Sequence, residues 1–429
     1  MATLKIEGGH PISGEITPLP NKNSILKLIP ACVIANDIIT LRNVPKSTSV
    51  RTLLRVFKEL GGKVSYLKNN VVKLDPRPIN SWRIPDDLAS KERASLMFLG
   101  PLVARFGKAE IAKSGGCKLG NRPLDTMFQG LSALGIEIEQ NDSYKLVTKG
   151  LKGNEKIWLM EASVTGTENL IIAATLAKGK TIIYNAACEP HTQDLCKFLN
   201  ALGAQISGIG SNRLVIEGVE ELKGGTDWTV MNDHLDVGGL IAIAAITNGE
   251  LLIKDAVPEH MTQILNYFSK LNLAVEIRGD DIFVPSNQDL VCKRNVKGNI
   301  DKIMDQPWPG FPTDLLPQTL VLALKAKGTI KIFSNMYEEK LMFYRDLQKM
   351  HGEIILASPH LAIPFGPTEF RGAKITAPPA LRETYSLIMA ALAAKGETII
   401  KNADAVFRGY PDVIEKLSNL GAKITMNKK

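Results

Sequence analysis

The sequence has no uncharged apolar run of membrane-spanning length, and its opening residues carry none of the apolar stretch that heads a secreted chain. The expectation is a cytoplasmic protein with no membrane partner. Cysteine is scarce as well. The five present, Cys32, Cys117, Cys188, Cys196 and Cys292, are odd in number and never fall in CxxC spacing, which argues against both a disulfide framework and a zinc site. Glycine-rich phosphate loops are missing too: "GIGSNR" at 208–213 lacks the third glycine of a dinucleotide fingerprint and falls in a strand turn. No nucleotide cofactor and no metal are expected. Aromatic residues make up only 6%, and the 52 lysines and arginines are spread along the chain rather than gathered among aromatics, so nucleic acid is a poor fit. Asn141-Asp142-Ser143 matches a glycosylation acceptor but carries no weight without secretion.

What is present is ordinary soluble composition, 45% hydrophobic and 22% charged over 429 residues, enough for two domains with a core each. The 52 basic residues exceed the 44 acidic ones and leave a net charge of +8, which suits anionic partners such as phosphorylated metabolites. Nothing in the sequence marks an oligomeric state.

The chain repeats itself. A helix end followed by a strand recurs as "VFKELGGKVSYL", "GLSALGIEIEQN", "FLNALGAQISGI", "YFSKLNLAVEIR", "DLQKMHGEIILA" and "KLSNLGAKITMN", centred near 60, 134, 202, 271, 350 and 420. Six units of about 70 residues account for the whole length. Each is preceded by a turn and a β-branched strand, as in "KGKTIIYNAACEP" and "KGETIIKNADAV". Before that comes a helix with almost no polar face, as in "LDVGGLIAIAAITNG", which reads as buried with sheets around it. The sixth unit stops without its last strand, and "LKIEGGHPISGEI" at 4–16 supplies a near copy. The expected fold is therefore α/β, with three repeats in residues 22–230 and three in 231–429, the last completed by residues 1–21. The chain would cross near 21 and near 231, which makes a hinge and a cleft suited to a ligand. A solenoid of six units is disfavoured, because it leaves the displaced N-terminal strand unexplained.

The oddest stretch is "KSGGCKLGNRPLD" at 113–125, where Cys117 follows two glycines among Lys113, Lys118 and Arg122. Together with "NKNS" (21–24), "RASLMFLGPLVARFG" (93–107), "ASVTGTEN" (162–169), "GFPTDL" (310–315) and "RGYPDVI" (408–414), it makes the chain resemble the enolpyruvyl transferases from end to end. The resemblance implies a two-domain inverse α/β barrel of three repeats per domain. The cysteine loop with "RPLD" is similar to that of the subgroup whose acceptor is UDP-N-acetylglucosamine; the sister shikimate-phosphate enzyme lacks it. The implied reaction joins phosphoenolpyruvate to the 3′-hydroxyl of that nucleotide sugar, releases phosphate and opens peptidoglycan synthesis.

Both implied substrates are anions. Two unit charges 4 Å apart interact by about 4 kcal/mol at an effective dielectric of 20, so several fixed cations are needed. Arginine's fork suits carboxylates and phosphates. The resemblance implies that Lys22, Asn23, Arg122, Arg382 and Arg408 surround phosphoenolpyruvate, with Lys22 and Arg408 also taking part in catalysis. It places Arg93, Arg122, Pro123, Leu124, Asp125, Thr126, Ser163, Val164, Thr165, Asp314 and Met336 about the nucleotide sugar. Cys117 becomes the general acid for the methylene carbon, its free pKa of about 8.5 lying near working pH. The nearby cations favour thiolate, and the glycines would let the loop close. Asp314 becomes the base for the 3′-hydroxyl. By local sequence alone it is an acid in a first helical turn, with Thr313 as cap and Pro317 early enough to be tolerated. Pro123 likewise reads as a first helical residue.

Two positions depart from the family pattern. The acid expected two residues before the arginine is Ala380 in "PPALRETY", and an expected arginine is Lys340 in "MYEEKLM". Glu383 follows Arg382 but is expected to point elsewhere on the helix. A paralogue acting on another nucleotide, or a non-catalytic nucleotide-sugar-binding protein, are the alternatives these changes keep open.

Overall fold

The computed structural model describes residues 2–90, 92–113 and 123–428. Cys117 and Arg122 lie outside the described residues. The chain divides into two compact units, one of Pro20–Met231 and one of Met1–Leu19 with Asn232–Lys429. Each has its own apolar core.

In the unit of residues 20–231, the core helices are α1 (Lys22–Ala31), α2 (Leu99–Phe106) and α3 (Val164–Ala174). In the other they are α4 (His234–Thr247), α5 (Leu316–Lys325) and α6 (Leu381–Leu392). α4 shows why such sequences bury: apolar on every side, it hides every residue from His234 to Ile246. Asp233 caps it, accepting from the Leu235 N–H at 3.0 Å. α5 packs on both α4 and α6, and α2 packs on α3. Glycine makes these approaches possible. A Cβ on Gly238 would meet Leu315 at 2.9 Å, and one on Gly100 would meet the Asn169 carbonyl at 2.5 Å.

Among the described residues, each unit surrounds its helices with three sheets. Every repeat's amphipathic helix ends in a residue of left-handed backbone before the next strand: Gly61, Gly135, Gly203, Asn272, His351 and Gly421. That conformation is easy for glycine and tolerable for asparagine, so the "LG" signature survives as "LN" in the fourth repeat and as "MH" in the fifth. The strand Ala2–Glu7 lies between Glu397–Lys401 and Lys423–Lys428, antiparallel to both, with Ile6 opposite Thr398 on one side and Ile424 on the other. Gly14–Ile16 runs parallel to Leu251–Ile253, and Asp227–Thr229 runs parallel to Ile39–Arg42. No helix among the described residues is long and apolar enough to cross a membrane.

Candidate active site

In the unit containing α4–α6, Asp314 is the middle residue of a single 3₁₀ turn, Thr313–Leu315, that leads into α5. Thr313 does not cap that helix. Its hydroxyl donates to Asp305 Oδ2 at 2.7 Å and lies 3.2 Å from Met336 Sδ. The Asn335 N–H donates to the other Asp305 oxygen. Buried Asp305 therefore ties the Asp314 turn to the Met336 segment, and burial raises its carboxyl above the ordinary range. Pro317 sits in the first turn of α5, where its missing N–H has no intrahelical partner to lose.

Arg382 enters from the first turn of α6. Its Nε donates to Asp314 Oδ2 at 3.1 Å and its Nη1 donates to the Tyr410 hydroxyl. Burial disfavours its charge, but Tyr410, Asp314 and Asp233 outweigh that and hold it firmly ionised. Tyr410 stacks on Tyr385 with ring centroids 4.3 Å apart, which fixes the aromatic wall beside the guanidinium. Lys340 Nζ completes the group, 3.5 Å from Asp314 Oδ1 and 3.5 Å from Glu383 Oε1. The Asp314 side chain is 39% exposed, while those of Arg382, Lys340 and Glu383 are 9%, 11% and 6% exposed. A carboxylate open to solvent, backed by two buried cations, can take up a proton from a bound hydroxyl while its direction stays fixed.

Arg408 is exposed on the turn Ala403–Arg408 and anchors through Nη2 to the Pro379 carbonyl at 2.6 Å. It borders a depression of about 420 Å³ lined also by Ala377, Pro379, Asn402, Asp404 and Ala405. Ala380 precedes α6 and supplies no side-chain cap.

In the unit of residues 20–231, Lys22 and Asn23 open α1, behind the Asn21 cap that accepts from the Ser24 N–H at 3.0 Å. A helix N-terminus bearing a lysine is a fit place for an anion. A buried polar cluster holds this turn. Ser24 donates to Asp194, which also accepts from Trp228 Nε1 at 3.2 Å, and burial pushes the Asp194 carboxyl up to about 6. One turn on, Lys27 pairs with buried Glu168 at 3.0 Å. Arg93 opens the 3₁₀ turn Arg93–Phe98, which packs against both α1 and α3. Ser163 caps α3, its hydroxyl accepting from the Gly166 N–H at 3.3 Å, and Val164 and Thr165 follow as the first two helical residues. The helix Asp125–Ser132 packs on α3 as well. It starts later than the sequence suggests: Pro123 lies outside it, Leu124 is its cap, and Asp125 and Thr126 begin it, Thr126 buried.

The described cysteines, Cys32, Cys188, Cys196 and Cys292, are all buried, and no two of them form a disulfide. Burial raises each thiol, Cys188 and Cys292 to about 11. No group of three or more His, Cys, Asp or Glu among the described residues is placed to hold a metal.

A family model described as EPSP synthase (3-phosphoshikimate 1-carboxyvinyltransferase) matches residues 6–417. The UDP-N-acetylglucosamine 1-carboxyvinyltransferase of Treponema denticola is 42% identical over 424 residues, 99% of each chain. The chain belongs to the enolpyruvyl transferase family. The enzyme of the same name from Bacteroides fragilis is 42% identical over 99% of this chain and 100% of its own. That from Bradyrhizobium diazoefficiens is 39% identical over 98% and 96%. Among solved structures, the enolpyruvyl transferase NikO from Streptomyces tendae superposes with a TM-score of 0.87 at 20% identity, covering 100% of this chain and 99% of that one. EPSP synthase from Acinetobacter baumannii gives 0.78 at 18% identity, with 100% of each chain covered. The two-domain enolpyruvyl transferase fold implied by the resemblance is the fold observed.

A further expectation about the site, after those for Thr313 and Pro123, is overturned by geometry. Glu383 does not point away from the surroundings of Asp314. Lys340 reaches between the two acids and joins Glu383 to Asp314. Sequence reasoning also passed over Asp233 and Tyr385, whose signal is only burial; Tyr410 lay inside the quoted "RGYPDVI" but carries no charge to draw notice.

Proposed function

We propose that this chain transfers the enolpyruvyl group of phosphoenolpyruvate to the 3′-hydroxyl of UDP-N-acetylglucosamine, releasing phosphate, as the first committed step of peptidoglycan synthesis in the cytoplasm. The observation that carries this reading is the near-full-length identity of about 40% to enzymes bearing that name. The solvent-open Asp314 held by Arg382 and Lys340 is the geometry that supports a base at the acceptor hydroxyl. In this reading Lys22, Asn23, Arg122, Arg382 and Arg408 bind phosphoenolpyruvate, and Cys117 delivers a proton to its methylene carbon. Arg93, residues 122–126, Ser163, Val164, Thr165 and Met336 bind the nucleotide sugar. Protonation of the methylene leaves an oxocarbenium-like charge on the adjacent carbon, which the 3′-oxygen attacks while Asp314 removes the hydroxyl proton. The cations hold the carboxylate and phosphate in place and favour departure of phosphate, which leaves as a proton is lost from the new methyl group and the double bond reforms. In this reading the working parts are one domain of residues 22–230 and another of residues 1–21 with 231–429, joined by hinges near 21 and 231.

A coupled phosphate-release assay tests the reading. Release should require both phosphoenolpyruvate and UDP-N-acetylglucosamine. Release with a different nucleotide sugar alone would establish a paralogous transferase, and none with any acceptor would establish a binding protein. Both alternatives are disfavoured by the shared name across distant relatives.

A further inference from the structure

The geometry points to Glu383 as a positioning residue that sets the basicity of Asp314 through Lys340, an inference that rests on the proposed reaction. Lys340 Nζ stands at equal distance, 3.5 Å, from the carboxylates of Asp314 and Glu383. Both Lys340 and Glu383 are nearly enclosed, with side chains 11% and 6% exposed, whereas Asp314 is 39% exposed. The enclosed acid therefore has Lys340 as a near counter-charge, and the solvent-open acid shares that cation with it. The backbone enforces the arrangement: Glu383 and Arg382 are neighbours in the first turn of α6, so the helix that delivers one cation to Asp314 also delivers the anion that restrains the other.

The other groups facing Asp314 do not act through Lys340. Arg382 is firmly cationic, and Tyr410 beside it is held neutral by burial. His234, at the start of α4, is pushed down to about 3 by burial and stays neutral. Asp233, capping α4, is raised to about 6, first by burial and further by Asp236 and Asp314, with Arg382 pulling it down; it acts on Asp314 directly, whereas Lys340 pairs with Asp314 and Glu383. Take Glu383 away and Asp314 faces two cations with one fewer anion nearby. Its carboxylate is then stabilised, it takes a proton only at lower pH, and it becomes a weaker base.

The test uses the full chain with phosphoenolpyruvate and UDP-N-acetylglucosamine. E383Q should lower kcat by about tenfold or more, change either KM by less than about threefold, and move the acid limb of the pH–rate profile down by about one unit. E383D should recover most of both effects. The E383Q effect on the limb should vanish in a K340Q background, since Lys340 is the link. A folded E383Q enzyme with unchanged kcat and an unmoved acid limb would overturn the inference, as would a limb shift that persists without Lys340. Should E383Q fail to fold, E383A decides by the same readouts: a limb and kcat identical to the parent would count against the role. Wild-type inactivity would contradict the proposed reaction instead. In that case the carboxyl ¹³C titration of Asp314, assigned with D314N, still decides the inference: a midpoint that does not fall in E383Q or E383A overturns it.

Discussion

Replacing Asp314 by asparagine separates its structural role from its chemical one. The carboxylate meets Arg382 at 3.1 Å and Lys340 at 3.5 Å. At an effective dielectric of 20, each of those attractions is about 5 kcal/mol gross. The Asp314 side chain is 39% exposed, so water screens much of this, and the net contribution to stability is about 1–2 kcal/mol. Asparagine keeps an oxygen that can accept from Arg382 Nε, which lowers the loss further. In a unit of this size that corresponds to a fall in Tm of roughly 3–6 °C. Loss of a general base costs far more in rate, about 10²–10⁴-fold in kcat. Thermal melts by circular dichroism and phosphate release at saturating substrates measure the two effects side by side. Turnover of Asp314→Asn within about threefold of the parent would refute the assignment. A collapse of the fold would show that Asp314 is chiefly structural.

Other consequences are more local. Fosfomycin, an epoxide that alkylates the loop cysteine of this family, should inactivate the protein with one adduct on Cys117. The described cysteines are buried with raised thiol pKa values, so intact-mass and peptide mapping should find them unmodified; turnover that persists with Cys117 alkylated would remove it from the mechanism. Arg408→Ala removes an exposed guanidinium beside the 420 Å³ depression and should raise the KM for phosphoenolpyruvate about 10–100-fold, the value of one or two charge-assisted hydrogen bonds, with a smaller effect on the nucleotide sugar. Asp194, raised to about 6 in the folded chain, keeps its proton after the unfolded chain has released it, so it lowers stability progressively as pH rises from about 4 to about 6. Asp194→Asn should therefore gain on the parent across that window, by at most about 3 kcal/mol, in denaturant melts run at each pH; a difference that stays constant with pH would contradict the burial of an acid there.

Much of the fold was legible because its signals are local and repeated. The "LG" turn works through one backbone conformation, and the sequence repeats it often enough to survive replacement by Asn272 and His351. The apolar helices gave their burial away by having no polar face, as in α4. The candidate cluster was legible where charge stands in a distinctive motif: Arg382 meets Asp314, and Lys22 opens α1. It was less legible where the outcome depends on a long-range partner. Thr313 looks like a helix cap in isolation, but Asp305 takes its hydroxyl and the helix begins after the turn. Glu383 follows Arg382 by one residue, and helical geometry alone sends it elsewhere; only Lys340, distant in sequence, brings it back toward Asp314. Pro123 has the right stereochemistry for a helix start, yet the helix waits until Asp125.

The most direct measurement is inorganic phosphate released by the purified chain from phosphoenolpyruvate, with UDP-N-acetylglucosamine and a panel of other UDP-sugars supplied separately. Stoichiometric release with UDP-N-acetylglucosamine, together with an enolpyruvyl ether at its 3′-oxygen by mass spectrometry and NMR, is the expected result. No release with that acceptor, or release only with another, would contradict the proposed activity.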